Sequence, residues 1–210
     1  MTRISIDSAV ALEPQLAEAV TAIRGGGVVA FPTDTLYGLA ADPRQPDALR
    51  RLMDLKGRAA EKTVALIAGS LEQAREVAML DENALRLATL YWPGPLTLVV
   101  PALPHIQEPV RSATGHVGVR VPAHAVARAL ALAAGTPLTA TSANPSGSPA
   151  TADPDEVARL LPGLEILVDA GILAGGPPST LVQLDHGVAR VLREGAIATA
   201  RVLESLVRIE

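Results

Sequence analysis

The chain of 210 residues contains no cysteine. That excludes a disulfide framework, a cysteine nucleophile and a thiolate metal site at once. Aromatic residues make up only 2%. The core must therefore be built from Ala, Val and Leu, and stacking of single-stranded bases on rings is disfavoured. No apolar run reaches the ~18 uninterrupted residues that would span a bilayer, because Gly, Pro or charge breaks each one, and the start MTRISIDSAV lacks the apolar stretch of a secretion signal. A cytoplasmic location with no membrane partner is expected. A dominant charge of one sign is missing too: the formal net charge of −4 argues against bulk attraction to polynucleotides or anionic membranes, and leaves room for a local basic cleft. The histidines His105, His116, His124 and His186 show no metal-ligand spacing, so no histidine metal site is expected. Gly25, Gly26 and Gly27 precede a strand rather than open a helix, which makes them a helix stop and not a phosphate cradle. Neither a Walker lysine loop nor a nucleophile elbow is found.

What is present is an ample hydrophobic fraction, 49% against 19% charged residues, arranged as strands alternating with helices. Leu16, Val20 and Ile23 recur at helical spacing and predict a helix over 14–24, followed by a buried strand over 28–31. A second helix is expected over 47–56 and a strand over 64–67. Ser70 with Gln73 reads as a capping box for a third helix, and Asp81 as the cap of a fourth that ends near Trp92 and Pro93. Strands are expected over 96–100 and 117–121. In the latter Val117, Val119 and Val121 share one face, while His116, Gly118 and Arg120 share the other. A helix over 124–134 stopping at Gly135, a strand over 138–141, a helix opened by Asp153, Pro154 and Glu156, and strands over 166–168, 180–184 and 189–192 follow, with a terminal helix capped by Thr199. No linker divides these elements, so a single α/β domain over 1–210 is expected.

Polar groups gather where the apolar strands end: Thr33, Asp34 and Thr35 after Phe31, Ser142 and Asn144 after Thr141, Ser179 before a strand, and Arg193 closing one. Lys56 and Arg58 flank Gly57. Cations that only donate, joined by short hydroxyl and amide groups, suit phosphate or carboxylate oxygens. Each piece also has a structural reading. Thr33, Asp34 and Thr35 are ordinary turn chemistry, Lys56 is a last-turn cation on a helix ended by Gly57, Arg120 pairs with a structural carboxylate, and Arg193 lies on the surface beside a turn. The conjunction favours an anion site assembled from distant segments.

The strings FPTDTLYGLAAD, LKGR, WPGPLTLVV, VGVRVP, ATSANPSG, PPSTLVQL and LREGAI, in this order, resemble the YrdC-like threonylcarbamoyl-AMP synthases in their single-domain bacterial form. The resemblance covers about 17–197. It implies a twisted, mixed, open sheet with flanking helices and a concave, positively charged cleft. It also implies synthesis of threonylcarbamoyl-adenylate and pyrophosphate from L-threonine, bicarbonate or CO2, and ATP with Mg²⁺. The product would serve threonylcarbamoyladenosine modification of tRNA through downstream threonylcarbamoyl transferase machinery. By family position, Lys56 and Arg58 are the catalytic cations. Lys56, Arg58, Lys62, His116, Asn144, Thr151 and Arg193 bind ATP, and Thr35, Arg120, Ser142 and Ser179 bind threonine. The chain departs from the family at Ala59 and Thr63, where prolines are frequent, at Ile67, where some relatives carry His, and at His116, where Thr or Ser is frequent. Two other functions are weighed. One is a carbamoyl-adenylate-forming module of the hydrogenase-maturation type, whose acylphosphatase and zinc-finger segments are missing here and which the absence of Cys disfavours. The other is a non-enzymatic module that binds double-stranded RNA by shape, as in ribosome assembly.

Overall fold

The structure is a computed structural model that describes residues 1–57, 63–185 and 187–206. In chain order its elements are β1 (Thr2–Ser5), α1 (Leu12–Arg24), β2 (Val29–Pro32), β3 (Tyr37–Ala40), α2 (Pro46–Lys56), β4 (Ala65–Ile67), α3 (Leu71–Arg75), α4 (Glu82–Tyr91), β5 (Leu96–Pro101), β6 (His116–Arg120), α5 (Ala125–Ala134), β7 (Leu138–Ser142), α6 (Pro154–Leu160), β8 (Ile166–Asp169), β9 (Thr180–Asp185), β10 (Val188–Arg193) and α7 (Thr199–Glu204). The strands form one 10-stranded sheet in the order β1-β8-β2-β3-β7-β4-β6-β5-β9-β10. Pairs β1–β8, β2–β8, β4–β6 and β5–β9 run parallel; β2–β3, β3–β7, β4–β7, β5–β6 and β9–β10 run antiparallel. The sheet is mixed and open, as expected.

The two halves of this sheet are covered differently, and that difference positions the site. Along β2, Val29 and Phe31 pack with Leu16 and Ile23 of α1 and Leu130 of α5. Ala30 packs on the other side with Leu52 of α2 and Val157 of α6. Side chains of a strand alternate between faces, so this half is sandwiched by helices. Along β6, Val117 and Val119 pack with Leu98 of β5, Val182 of β9, Leu87 of α4 and Val202 of α7. The opposite face of β6, carrying His116, Gly118 and Arg120, instead borders a cavity. One half of the sheet is thus lined on both faces and the other on one.

Most predicted elements form within a residue or two of their expected bounds. Two strands were not expected. β1 has only four residues, of which Ile4 alone is part-buried, and it is held by parallel pairing to β8. β3 follows a run that reads as turn chemistry; the Thr33 hydroxyl does close that turn, donating to Leu36 O at 2.6 Å and accepting from Leu36 N at 3.2 Å. The chain then re-enters the sheet with Gly38 opposite Phe31. A Cβ on Gly38 would meet the Phe31 ring at 3.1 Å, so glycine permits the close approach.

Two caps also differ from expectation. Ser70 accepts from Gln73 N at 3.2 Å, but the Gln73 side chain does not return to Ser70. It accepts from Gly69 N at 2.7 Å and donates to Ala131 O at 3.0 Å, bracing α3 against α5. Thr199 is the first residue of α7 rather than its cap; its N–H is satisfied by the Glu194 carboxylate at 2.8 Å.

Candidate active site

The uncovered face forms a cleft of about 800 Å³. Its floor follows from the alternation of β6: His116 and Arg120 point into it, separated by four residues or roughly 13 Å at 3.3 Å per residue. Between them Gly118 presents no side chain. A Cβ there would lie 3.3 Å from the Ala65 Cβ and 3.6 Å from the Thr97 methyl, so the middle of the floor is flat because this position is glycine.

Arg120 is 8% exposed. Its Nε donates to Gly94 O at 2.9 Å, and an Nη2 hydrogen bond and ion pair joins it to Asp34. Burial draws its pKa down and the Asp34 carboxylate opposes the shift, so the guanidinium stays charged. The structural reading of Arg120 therefore holds as far as Asp34, and it leaves Nη1 without a partner among the described residues. Gly94 is required for this geometry, because a Cβ there would lie 2.3 Å from Tyr91 O. Around Arg120 the cleft is rich in hydroxyls. Thr35 Oγ1 lies 3.3 Å from Thr33 Oγ1, Ser179 and Thr97 share a hydrogen bond of 2.8 Å, and Ser142 ends β7 on the cleft wall.

The spacing predicts Lys56 as a last-turn cation on a helix ended by Gly57. It does close α2 before Gly57, whose φ of 56° is left-handed. However, its side chain is buried, and its ammonium donates to the carbonyls of Ser142 and, at 2.8 Å, of Asn144. Ser146 N returns a bond to Lys56 O at 2.7 Å. The lysine therefore ties the end of α2 to the loop after β7, a role that last-turn spacing does not reveal.

Asn144 and Thr151 stand behind the cleft wall rather than on it. Asn144 Nδ2 donates to Pro145 O at 3.0 Å and Ser148 O at 2.6 Å, while its buried Oδ1 has no partner among the described residues. With its donors engaged, the amide has only an acceptor left uncommitted, which suits a hydroxyl or N–H rather than a phosphate oxygen. Thr151 Oγ1 accepts from Asp153 N, and its carbonyl accepts from Tyr37 N, both at 3.0 Å. Tyr37 clamps the same region. Its hydroxyl donates to Gly171 O at 2.8 Å and accepts from Ala170 N at 3.1 Å, and burial pushes its pKa up to about 12, so it stays neutral.

At the far end of β6, the His116 Nδ1 lies 2.9 Å from Thr114 O, an acceptor, which places the ring proton on Nδ1. Nε2 faces the Asp185 carboxylate at 3.5 Å. Arg193 reaches the cleft through a bulge. Val191 opposes Val182, yet Leu181 is opposed by Arg193 rather than Leu192, so the extra residue turns the guanidinium toward the floor. Arg193 Nη2 donates to Ser179 O at 2.8 Å. Desolvation alone lowers its pKa, with no carboxylate offsetting it.

The described lining includes Arg120, Arg193 and His116 but no Asp or Glu, since Asp34 lies behind Arg120. Thr35, Ser142 and Ser179 line the same space, whereas Ile67 contributes only an apolar side chain. Arg58 and Lys62 fall outside the described residues. Sequence reasoning missed Asp34 as a partner and Gly94 as a scaffold. The signal for Asp34 was available: a buried arginine needs a nearby carboxylate, and Asp34 opens one of the polar strand ends.

The family model described as Sua5_yciO_yrdC, telomere recombination, matches residues 21–195. A Vibrio cholerae protein named threonylcarbamoyl-AMP synthase is 39% identical over 188 residues, covering 88% of this chain and 100% of its own length. A Bacillus subtilis protein of the same name is 34% identical over 193 residues, or 90% of this chain and 56% of its own length. The crystal structure of P. abyssi Sua5 complexed with L-threonine superposes with a TM-score of 0.92 at 33% identity, over 98% of this chain and 61% of that one. The chain thus spans the whole of one relative and little more than half of two longer ones.

Proposed function

Because the chain belongs to the Sua5, YciO and YrdC family, we propose that its cleft makes threonylcarbamoyl-adenylate from L-threonine, bicarbonate or CO2, and ATP. The observation that carries this reading is the floor of β6. Arg120 is charged and has an open donor, His116 lies at the other end, and Gly118 leaves the span between them clear for reactants. Arg193 stands on β10, three strand spacings or roughly 14 Å from β6.

Threonine carboxylate would bind Arg120, with Thr35, Ser142 and Ser179 around its hydroxyl and amine. A pocket of buried hydroxyl partners rejects an amino acid that lacks the matching group. The amine adds to the carbon of CO2 and loses a proton, giving a carbamate. A carbamate oxygen attacks the α-phosphorus of ATP, and pyrophosphate departs. No protein nucleophile is needed, so the protein contributes alignment and charge stabilisation. Arg193, Lys56 and, by family position, Arg58 and Lys62 are the cations assigned to the polyphosphate, with Lys56 acting on it through the loop that it holds. His116, Asn144 and Thr151 complete the nucleotide side. Mg²⁺ would enter on the ATP phosphates, since no cluster of three His, Asp or Glu among the described residues could hold it. The adenylate would pass to a transferase that modifies tRNA.

The test is pyrophosphate release from ATP. It is expected to require both L-threonine and bicarbonate. Release driven by carbamoyl phosphate instead, or duplex RNA binding without turnover, would overturn the reading. Gly118→Val provides a check inside the site. Its side chain would occupy the middle of the floor and separate carbamate from phosphorus, so turnover is expected to fall on the order of 10²-fold, with an unchanged far-ultraviolet circular dichroism spectrum.

A further inference from the structure

Gln183 is a polar side chain in the cleft to which the mechanism above gives no work. On β9, Val182 and Leu184 are sealed into the core, whereas Leu181 and Gln183 are part-buried and line the cleft. Gln183 opposes Val99, and Val99 opposes Gly118, so its amide stands in the same transverse row as the empty floor. That amide makes no hydrogen bond to any described group. Gln73 and Gln15, by contrast, are fully engaged with neighbouring backbone. Val99, Leu181 and Leu192 add aliphatic surface beside it. The place is therefore an aliphatic slot with one uncommitted amide donor and one uncommitted amide acceptor, edged by the exposed Arg190 opposite Gln183 on β10 and by Asp185 two residues along β9.

A purine has these needs: flat apolar faces and an edge that must be paired. A carboxamide matches the edge of adenine by accepting from the 6-amino group and donating to N7. Guanine offers two acceptors on that edge, O6 and N7, and leaves the amide oxygen unpaired. The neighbouring row on β9 holds Leu181 opposite Arg193, roughly 7 Å away at two residues' rise. A ribose spans that separation, placing the α-phosphate beside the guanidinium.

We propose that Gln183 reads the nucleobase and makes the site selective for adenine over guanine nucleotides. The inference rests on the nucleotide-dependent reading of the cleft given above, and binding can test it separately from turnover. Calorimetry on the full chain with AMP, GMP and 7-deaza-AMP is the experiment. The unaltered chain is expected to bind AMP about tenfold more tightly than either of the others, the lower part of the range for a bidentate amide–adenine pair. Gln183→Met, similar in length and apolar, should lose about tenfold for AMP and show no further loss with 7-deaza-AMP. Gln183→Glu keeps the acceptor but loses the donor to N7, so it should bind AMP and 7-deaza-AMP equally. In turnover, Gln183→Met should raise KM for ATP and leave KM for threonine where it was. A Gln183→Met chain that still prefers AMP and still discriminates against 7-deaza-AMP overturns the proposal, as does an unaltered chain indifferent among the three. Pyrophosphate release that fails while AMP selectivity persists would count against the synthase reaction and not against Gln183.

Discussion

Arg120→Ala is expected to abolish threonine-dependent pyrophosphate release and to destabilise the fold by about 3–5 kcal/mol, the usual cost of removing one partner from a buried ion pair. The carboxylate of Asp34 would remain, with 15% of its side chain exposed and no counter-charge from Arg120. Urea unfolding measures the stability and initial rates at varied threonine measure the activity, but both losses together do not separate a ligand contact from a support. The double variant Arg120→Ala with Asp34→Asn does. Neutralising the orphaned carboxylate is expected to recover most of the stability while threonine use stays lost. If activity returned along with stability, Arg120 would be structural only and the assignment of the carboxylate subsite would be wrong.

Lys56→Met is expected to have the next largest effect. The substitution keeps the length of the side chain and removes an ammonium that donates to two carbonyls, those of Ser142 and Asn144. The Asn144 carbonyl is buried and would be left unmet at an expected cost of about 1–3 kcal/mol, whereas Ser142 O keeps the Asn144 N–H at 3.0 Å. The loop after β7 should loosen, and with it the Ser142 hydroxyl and Ala150 at the cleft wall. Turnover is expected to drop on the order of 10²-fold through misplacement alone. Hydrogen exchange would show faster opening of the Ala143 and Ser146 amides, which donate to Tyr37 O and Lys56 O. Native protection of these amides together with full activity would contradict the clamp.

The features that the chain disclosed in advance are the local ones. Alternation in VGVRVP separated Val117, Val119 and Val121 from His116, Gly118 and Arg120, and the structure keeps that division between core and cleft. Asp81 and Asp153 cap the helices they were expected to cap, because a side-chain oxygen two or three residues before a free N–H is a short-range device. The features that stayed hidden depend on residues far apart or on register. Asp34 and Arg120 are 86 positions apart and meet only through the packing of β3, β7, β4 and β6. The burial of Lys56 depends on where the loop after β7 lands. The bulge that aims Arg193 is one residue of slip between β9 and β10, and hydrophobic alternation in Val188–Arg193 is too weak to locate it. β3 was missed because four residues beginning with Tyr37 and Gly38 carry little strand preference of their own until Phe31 is beside them.

The ladder that joins β5 to β9 has a further consequence for how the protein comes into being. Thr35 leaves the ribosome well before Arg193, yet both border the same hollow. A nascent chain can complete α1, β2 and β3 long before any reactant could be captured, so substrates cannot act as a template for early folding. They can reward only a chain that has already added β9 and β10, by mass action on its native state.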